Sequence, residues 1–157
     1  RVVLTAIGAY QLEEVLRASA RLAETDVPHS VVCMLEPGRF RSPRNEGERL
    51  HLAPAEVRDD LYPDSVSPRV FVSHTRPETL LGALQPLHTG HQSTGGLGFI
   101  GNGGTLTVPG LLFVNRCSWA HVLLEVARVL GMAQEEFLSQ PELEALSGKA
   151  SPEGVIL

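Results

Sequence analysis

The fold is decided by Val-Val-Leu-Thr-Ala-Ile at positions 2–7, Gly8, a helical segment over Tyr10–Glu24, and Ser-Val-Val-Cys-Met-Leu at positions 30–35. Two short apolar strands joined by one amphipathic helix form a βαβ unit, which needs a parallel sheet with helices on its faces. We therefore predict a three-layer α/β protein with a mainly parallel sheet of four or five strands. Ligands of such sheets bind at the carboxyl ends of the strands.

Hydrophobic periodicity and breaker residues predict the remaining elements. A third strand is expected over Arg69–His74 and a fourth over Leu97–Ile100. Ser118 and Gly131 have the residue types that cap a helix, and they enclose a nearly all-apolar segment that should be a buried helix. Further helices are predicted over Pro54–Leu61, Arg76–Leu87, 108–114, Trp119–Leu130, Gln134–Leu138 and Pro141–Leu146.

The first helix and the polar segment after the second strand carry more specific expectations. The helix should bury Leu12, Val15, Leu16, Ala20 and Ala23, and it should pair Glu13 with Arg17 on its outer face. The segment 39–49 holds four arginines with Glu46 and Glu48 interleaved. A solvated charged loop is the favoured interpretation, and binding of an anion or a partner is the alternative.

Composition restricts the class of protein. The chain of 157 residues is expected to be one domain over 1–157, beginning in mid-strand as a piece of something longer. A net charge of −5 without a basic run argues against nucleic-acid binding, and no apolar stretch is long enough to cross a membrane. Cys33 and Cys117 are predicted to be buried reduced thiols, which suits a cytoplasmic protein.

Few motifs carry chemistry. Gly96–Gly101 matches the residue pattern of the dinucleotide-binding fingerprint. Binding of a dinucleotide needs a strand before this pattern and a helix after it. Here a polar loop precedes the pattern, and Asn102-Gly103-Gly104 follows it. We predict instead a strand whose backbone passes close to a neighbour. His88 and His91 lack a third metal ligand in order, and His121 is expected to be a satisfied core or interface histidine.

Four residues are candidates for a pocket at the strand ends. Gly8 follows the first strand, His74 ends the third with Arg76 two residues on, and Asn102 follows the predicted fourth strand. The amides of the helix that begins near Tyr10 would favour an anion there. The sequence holds no complete set of catalytic residues.

The order of elements resembles the C-terminal domain of transketolase-type, thiamine-diphosphate-dependent enzymes. The resemblance rests on Val-Val-Leu-Thr-Ala-Ile-Gly-Ala-Tyr-Gln-Leu-Glu-Glu-Val-Leu at 2–16, Val-Val-Cys-Met at 31–34, and Gly-Leu-Gly-Phe-Ile-Gly at 96–101. The long polar link at 39–53 is more similar to the homodimeric pyruvate dehydrogenase E1 branch. The resemblance to this family implies that thiamine diphosphate and magnesium bind between two other domains and that this domain holds no cofactor. It also implies that this domain supports a homodimer.

Three functions follow as expectations. The first is a C-terminal, non-catalytic assembly domain of a transketolase-like or pyruvate-dehydrogenase-E1-like enzyme, with Trp119 and the segment 108–114 on its dimerisation face. The second is a stand-alone α/β module that binds an anionic small molecule near Gly8, His74, Arg76 and Asn102. The third is a stand-alone enzyme with His74 as general base.

Overall fold

A computed structural model describes residues 1–101 and 103–157 and contains a four-stranded, all-parallel sheet. The strands are β1 (Val2–Ile7), β2 (His29–Cys33), β3 (Arg69–Ser73) and β4 (Thr94–Leu97). They lie in the order β2-β1-β3-β4, with Leu4 of β1 beside Val31 of β2 and Val70 of β3. The predicted α/β class is confirmed.

Helices cover both faces of the sheet. The α-helices are α1 (Ala9–Leu22), α2 (Glu46–Arg49), α3 (Ala55–Leu61), α4 (Pro77–Ala83), α5 (Val108–Val114), α6 (Trp119–Leu130) and α7 (Gln140–Leu146). α1 and α6 pack together on one face of the sheet, and α4 lies on the other. Short 3₁₀ turns over Pro37–Phe40, Gln85–Leu87 and Gln134–Glu136 complete the described elements.

Strand β1 supplies both halves of the core. Successive side chains of a strand point to opposite faces, so Val2, Leu4 and Ala6 pack with α1 and α6. Val3 and Ile7 instead join a second cluster that contains Tyr62, Phe71, Leu80 and Leu84. This alternation produces the three-layer arrangement that the sequence predicts.

The predicted buried face of helix α1 was correct for Val15 and wrong for most of its other residues. The structure buries Gln11, Glu14, Val15, Ala18 and Leu22, whereas Leu16, Ala20 and Ala23 are exposed. The reason is that Glu14 has buried partners: its carboxylate accepts a hydrogen bond from the backbone N–H of Trp119 at 2.6 Å and one from Arg17 at 2.9 Å. Arg17 therefore pairs with Glu14 and not with Glu13.

Two strand boundaries also differ from the prediction. β4 occupies Thr94–Leu97, so the predicted strand over Leu97–Ile100 was placed three residues too late. Its glycines allow close packing, because a Cβ at Gly95 would collide with the side chain of Glu125. The second strand, predicted over 30–35, is β2 over His29–Cys33. His29 lies beside Val2, and its imidazole lies 2.8 Å from the hydroxyl of Ser19.

Helix α6 is buried as predicted, and Gly131 ends it in the left-handed conformation (φ 66°). The Ser118 side chain makes no cap hydrogen bond to the backbone and instead contacts His121. The Trp119 indole is buried within this chain, where its N–H donates to the carbonyl oxygen of Ile156 at 3.1 Å. Its side chain is therefore covered by other residues of the same chain.

The two cysteines differ in their environments. Cys117 is buried, as predicted, and burial raises the pKa of its thiol to about 12, with the charge of Glu14 adding to the effect. Cys33 is exposed, so its predicted burial was wrong. It lies at the carboxyl end of β2, which has a neighbouring strand on one side only. Among the described helices, none combines the length and apolar character needed to cross a bilayer.

Candidate functional site

The structure brings Gly8 and His74 together at the carboxyl ends of the two central strands. Gly8 follows β1 and His74 follows β3, so they flank the point where the strand order reverses direction. The Nδ1–H of His74 donates to the carbonyl oxygen of Ile7 at 3.3 Å. Gly8 has φ of 117°, and a Cβ there would collide with the Gln11 side chain and lie 3.3 Å from His74 Nδ1. A side chain at position 8 would be strained mainly by this backbone conformation, since the Gln11 amide is the end of a flexible side chain.

Arg76, another pocket candidate, lies near a different segment. It is exposed at the N-terminus of α4, and its guanidinium lies 3.9 Å from the position that a Cβ of Gly101 would occupy. It thus faces the segment after β4. The fourth candidate, Asn102, lies outside the described residues. Of the predicted pocket, the structure therefore shows one contact, between Gly8 and His74.

The glycine-rich fingerprint is a packing feature. A Cβ at Gly98 would collide with the carbonyl oxygen of Thr75, and the next residue, Phe99, donates its N–H to that same oxygen at 3.0 Å. The helix that follows, α5, begins only at Val108. The predicted close passage of the backbone is confirmed, and the segment lacks the strand–turn–helix geometry by which such a motif holds a pyrophosphate.

His121 is a satisfied core residue, as predicted. Its ring is buried against Phe113, and its Nδ1 lies 2.8 Å from the hydroxyl of Ser118. Burial, with the nearby charge of Arg116, lowers the pKa of His121 to about 4. The imidazole is therefore neutral at physiological pH and has a local structural partner.

Potential metal ligands are dispersed in the part of the chain that the structure describes. The rings of His88 and His91 are 5.8 Å apart between centroids and pack edge to face. No group of three or more His, Cys, Asp or Glu side chains within 1–101 and 103–157 is arranged to hold a metal ion.

Sequence reasoning missed the role of Arg69. Its guanidinium is buried at the start of β3 and donates to backbone carbonyl oxygens of Val66, Leu87, Tyr62 and Pro63 at 2.9–3.2 Å. Burial lowers the pKa of Arg69, and the charge is stabilised by these oxygens and by the Tyr62 ring. The sequence feature that could have indicated this buried role is the position of the arginine between Pro68 and an apolar strand.

The segment 39–49, which contains four arginines, agrees in part with the prediction of a solvated charged loop. Glu48 is paired with Arg41 at 3.0 Å and with Arg44, and the hydrogen bond from Arg44 lowers the pKa of Glu48 to about 2. These pairs fit a solvated charged face. The segment also encloses a cavity of about 560 Å³ lined by Arg39, Arg41, Arg49 and Arg58, which the sequence pattern did not indicate.

Together the fold and the site define a parallel α/β protein in which Gly8 and His74 lie at the carboxyl edge of the sheet. Comparison with protein-family models and with curated proteins finds no match to this chain.

Proposed function

We propose that this chain is the C-terminal, non-catalytic assembly domain of a thiamine-diphosphate-dependent enzyme of the transketolase-like or pyruvate-dehydrogenase-E1-like kind. It would act in the cytoplasm by supporting a homodimer and positioning the other subunits or domains. Thiamine diphosphate and magnesium would be held by the other domains of the parent enzyme. The sequence resemblance supports this proposal, and the parallel α/β architecture is the one that the resemblance implies.

The observation that carries the proposal is a group of four exposed apolar residues, of which three lie between β4 and α5 and the fourth, Val108, begins α5. Phe99, Ile100, Leu106 and Val108 each leave between 37 % and 49 % of their surface exposed. Ile100 is fixed to the end of α5, because the Asn115 side-chain oxygen accepts hydrogen bonds from the N–H groups of Ile100 and Gly101 at 3.1 and 3.2 Å. Apolar side chains held at the surface in this way favour contact with another protein surface.

Sedimentation of the chain over a range of concentrations tests the proposal. We expect reversible self-association, weakened about tenfold or more by Ile100→Asp or Leu106→Asp, because a charge would have to be buried at the contact. Leu16→Asp is the matched control, since Leu16 is also an exposed apolar residue but lies on α1. A monomer at every concentration, or variants that associate like the wild type, would contradict the proposed dimerisation surface.

The second candidate, a module that binds an anionic small molecule, is favoured by one observation: Gly8 and His74 meet where the strand order reverses. The intact mass of the protein purified from its native cell separates the two candidates. A mass several times the 17.0 kDa of this chain supports the assembly domain. A mass near 17.0 kDa without a co-purifying subunit supports the binding module.

A further inference from the structure

Two adjoining cavities lie beyond the carboxyl end of β2. The first, which we call the arginine cavity, has a volume of about 560 Å³ and is lined by Arg39, Arg41, Arg49 and Arg58 together with apolar residues. The second, which we call the apolar groove, has a volume of about 360 Å³. Both include Arg39, Phe40, Ala53 and Pro54 in their walls. The two spaces are therefore neighbours that share part of one wall, in which the N–H of Ala53 donates to the carbonyl oxygen of Arg39 at 2.8 Å.

The arginine cavity is rich in cationic residues. Four arginines line it, each also paired with a carboxylate, and none of its described lining residues is acidic. The acidic partners stand outside: Glu48 lies 3.0 Å from Arg41, Glu46 lies 2.8 Å from Arg49, and Asp59 lies 2.9 Å from Arg58. Arg39, in the shared wall, has a looser contact, 3.9 Å from Glu36. Guanidinium groups bind phosphate through paired hydrogen bonds, and several of them suit a doubly charged group.

The apolar groove offers a different surface. Most of its lining is apolar, and Leu35 leaves 86 % of its surface exposed. Glu36, the partner of Arg39, is the one acidic residue among the described lining residues of the groove. The apolar lining residues include Val32, Met34, Leu35, Val57 and Leu61. The exposed thiol of Cys33 lies in the same lining. Each of the two volumes falls within the range of roughly 300–1,000 Å³ that small-molecule sites occupy. An uncovered apolar wall next to a cluster of cations matches a ligand with one apolar end and one anionic end.

We propose that the two cavities form a single site for a phosphate monoester with an apolar body. The phosphate would bind among Arg39, Arg41 and Arg49, and the aromatic or aliphatic body would lie along Leu35 and Val57 in the apolar groove. This site is separate from the pair formed by Gly8 and His74. It does not depend on the proposed assembly function, because it uses neither the segment after β4 nor α5.

Calorimetric titration with three probes tests the proposal: 2-naphthyl phosphate, inorganic phosphate and 2-naphthol. We expect 2-naphthyl phosphate to bind about tenfold or more tightly than either fragment, because only it uses both cavities. Alkylation of Cys33 by iodoacetamide provides an independent measurement, since Cys117 is buried. Saturating 2-naphthyl phosphate should slow this alkylation by at least about fivefold, and inorganic phosphate should not.

Exposed variants distinguish a built site from weak surface binding. Arg39→Gln removes the cation in the shared wall, and Val57→Asp places a carboxylate in the apolar groove, so each should weaken 2-naphthyl phosphate about tenfold. Arg1→Gln is the control, because Arg1 is also an exposed arginine and lies outside both linings. The proposal fails if inorganic phosphate binds as tightly as 2-naphthyl phosphate, if both test variants bind like the wild type, or if Cys33 alkylation is unaffected.

Discussion

At the residue scale, His121 shows how burial turns a titratable side chain into a pH-dependent element of stability. Its pKa is about 4 in the folded chain, because the ring is buried and lies near the positive charge of Arg116. In the unfolded chain an imidazole titrates near 6.5. Between these two values the unfolded state binds more protons than the folded state, so the free energy of unfolding falls as the pH falls.

The expected loss from His121 is about 3 kcal/mol between pH 7 and pH 4, as a shift of about 2.5 pKa units corresponds to that free energy. His121→Gln keeps a partner for Ser118 but removes the titration, so its stability should depend less steeply on pH from 6.5 to 4. Urea unfolding of the two proteins at a series of pH values measures this difference. His51→Gln, at an exposed position, serves as the control. Parallel pH profiles for wild type and His121→Gln would rule out this role.

The carboxylate of Glu142 acts in a lower pH range. Its pKa is lowered despite burial, which alone would raise it, because Ser139 and Arg21 hydrogen-bond to the ionised form. Stability from Glu142 is present above the ordinary glutamate pKa, about 4.5, and is lost as the pH falls below it. The contributions of His121 and Glu142 to the free energy of unfolding can therefore be measured separately. Of these two groups, only His121 contributes to the decrease in stability between pH 6.5 and 4.5.

At the element scale, one carboxylate joins helices α1 and α6. Glu14 of α1 is buried and accepts the N–H of Trp119, which is one of the free donors at the start of α6. The position also suits a negative charge, because the N-terminus of a helix carries partial positive charge. Arg17 pairs with the second oxygen of Glu14, so both oxygens of the carboxylate have partners.

Glu14→Ala should lower the free energy of unfolding by about 2–3 kcal/mol, because it leaves the Trp119 N–H buried without a partner. Glu14→Gln should cost less, since an amide oxygen can still accept that hydrogen bond. Glu13→Ala is the matched control on the exposed side of the same helix and should change stability by less than about 0.5 kcal/mol. Denaturant unfolding measures all three. Equal effects of the two alanine variants would show that α1 does not have the phase described.

The same elements show what sequence patterns can and cannot predict. The apolar runs at 2–7 and 119–130 identify β1 and α6 because every residue of β1 and most of α6 are buried. Hydrophobic periodicity predicted the wrong buried face for α1, because it treats Glu14 as a surface residue. It does not include the hydrogen bond that the Glu14 carboxylate accepts from the N–H of Trp119. Hydrophobic periodicity also misplaced β4, because Gly95 and Gly96 have no apolar side chain that would mark them as strand residues. The absence of their side chains makes room for Glu125 and Leu81.

The candidate site was predictable to a similar degree. The rule that parallel sheets place ligands at strand ends correctly brings Gly8 and His74 together. It cannot reveal the arginine cavity, because that space is formed by a 3₁₀ turn and two short helices whose relative positions depend on long-range packing. The exposure of Cys33 has a similar origin, since a sequence does not state which strand lies at the edge of a sheet.

At the scale of the whole molecule, β1 and β3 link the two halves of the core. Val70 and Val72 of β3 belong to the cluster that contains α1 and α6, whereas Phe71 belongs to the cluster on the opposite face. Neither cluster can lose its packing without disturbing strands that the other needs. This arrangement predicts that the chain unfolds as one cooperative unit, as expected of a single domain over 1–157.

Leu84→Ala tests this cooperativity from one side of the sheet. Leu84 is buried in the cluster with Tyr62 and Phe71, so its truncation should cost about 2–5 kcal/mol. The only tryptophan, Trp119, lies in the other cluster and reports on that face through its fluorescence. If the sheet couples the faces, Leu84→Ala lowers the unfolding midpoint seen by Trp119 fluorescence as much as the midpoint seen by far-ultraviolet circular dichroism. A fluorescence midpoint that stays at the wild-type value while the circular dichroism midpoint falls would mean that the two faces unfold separately.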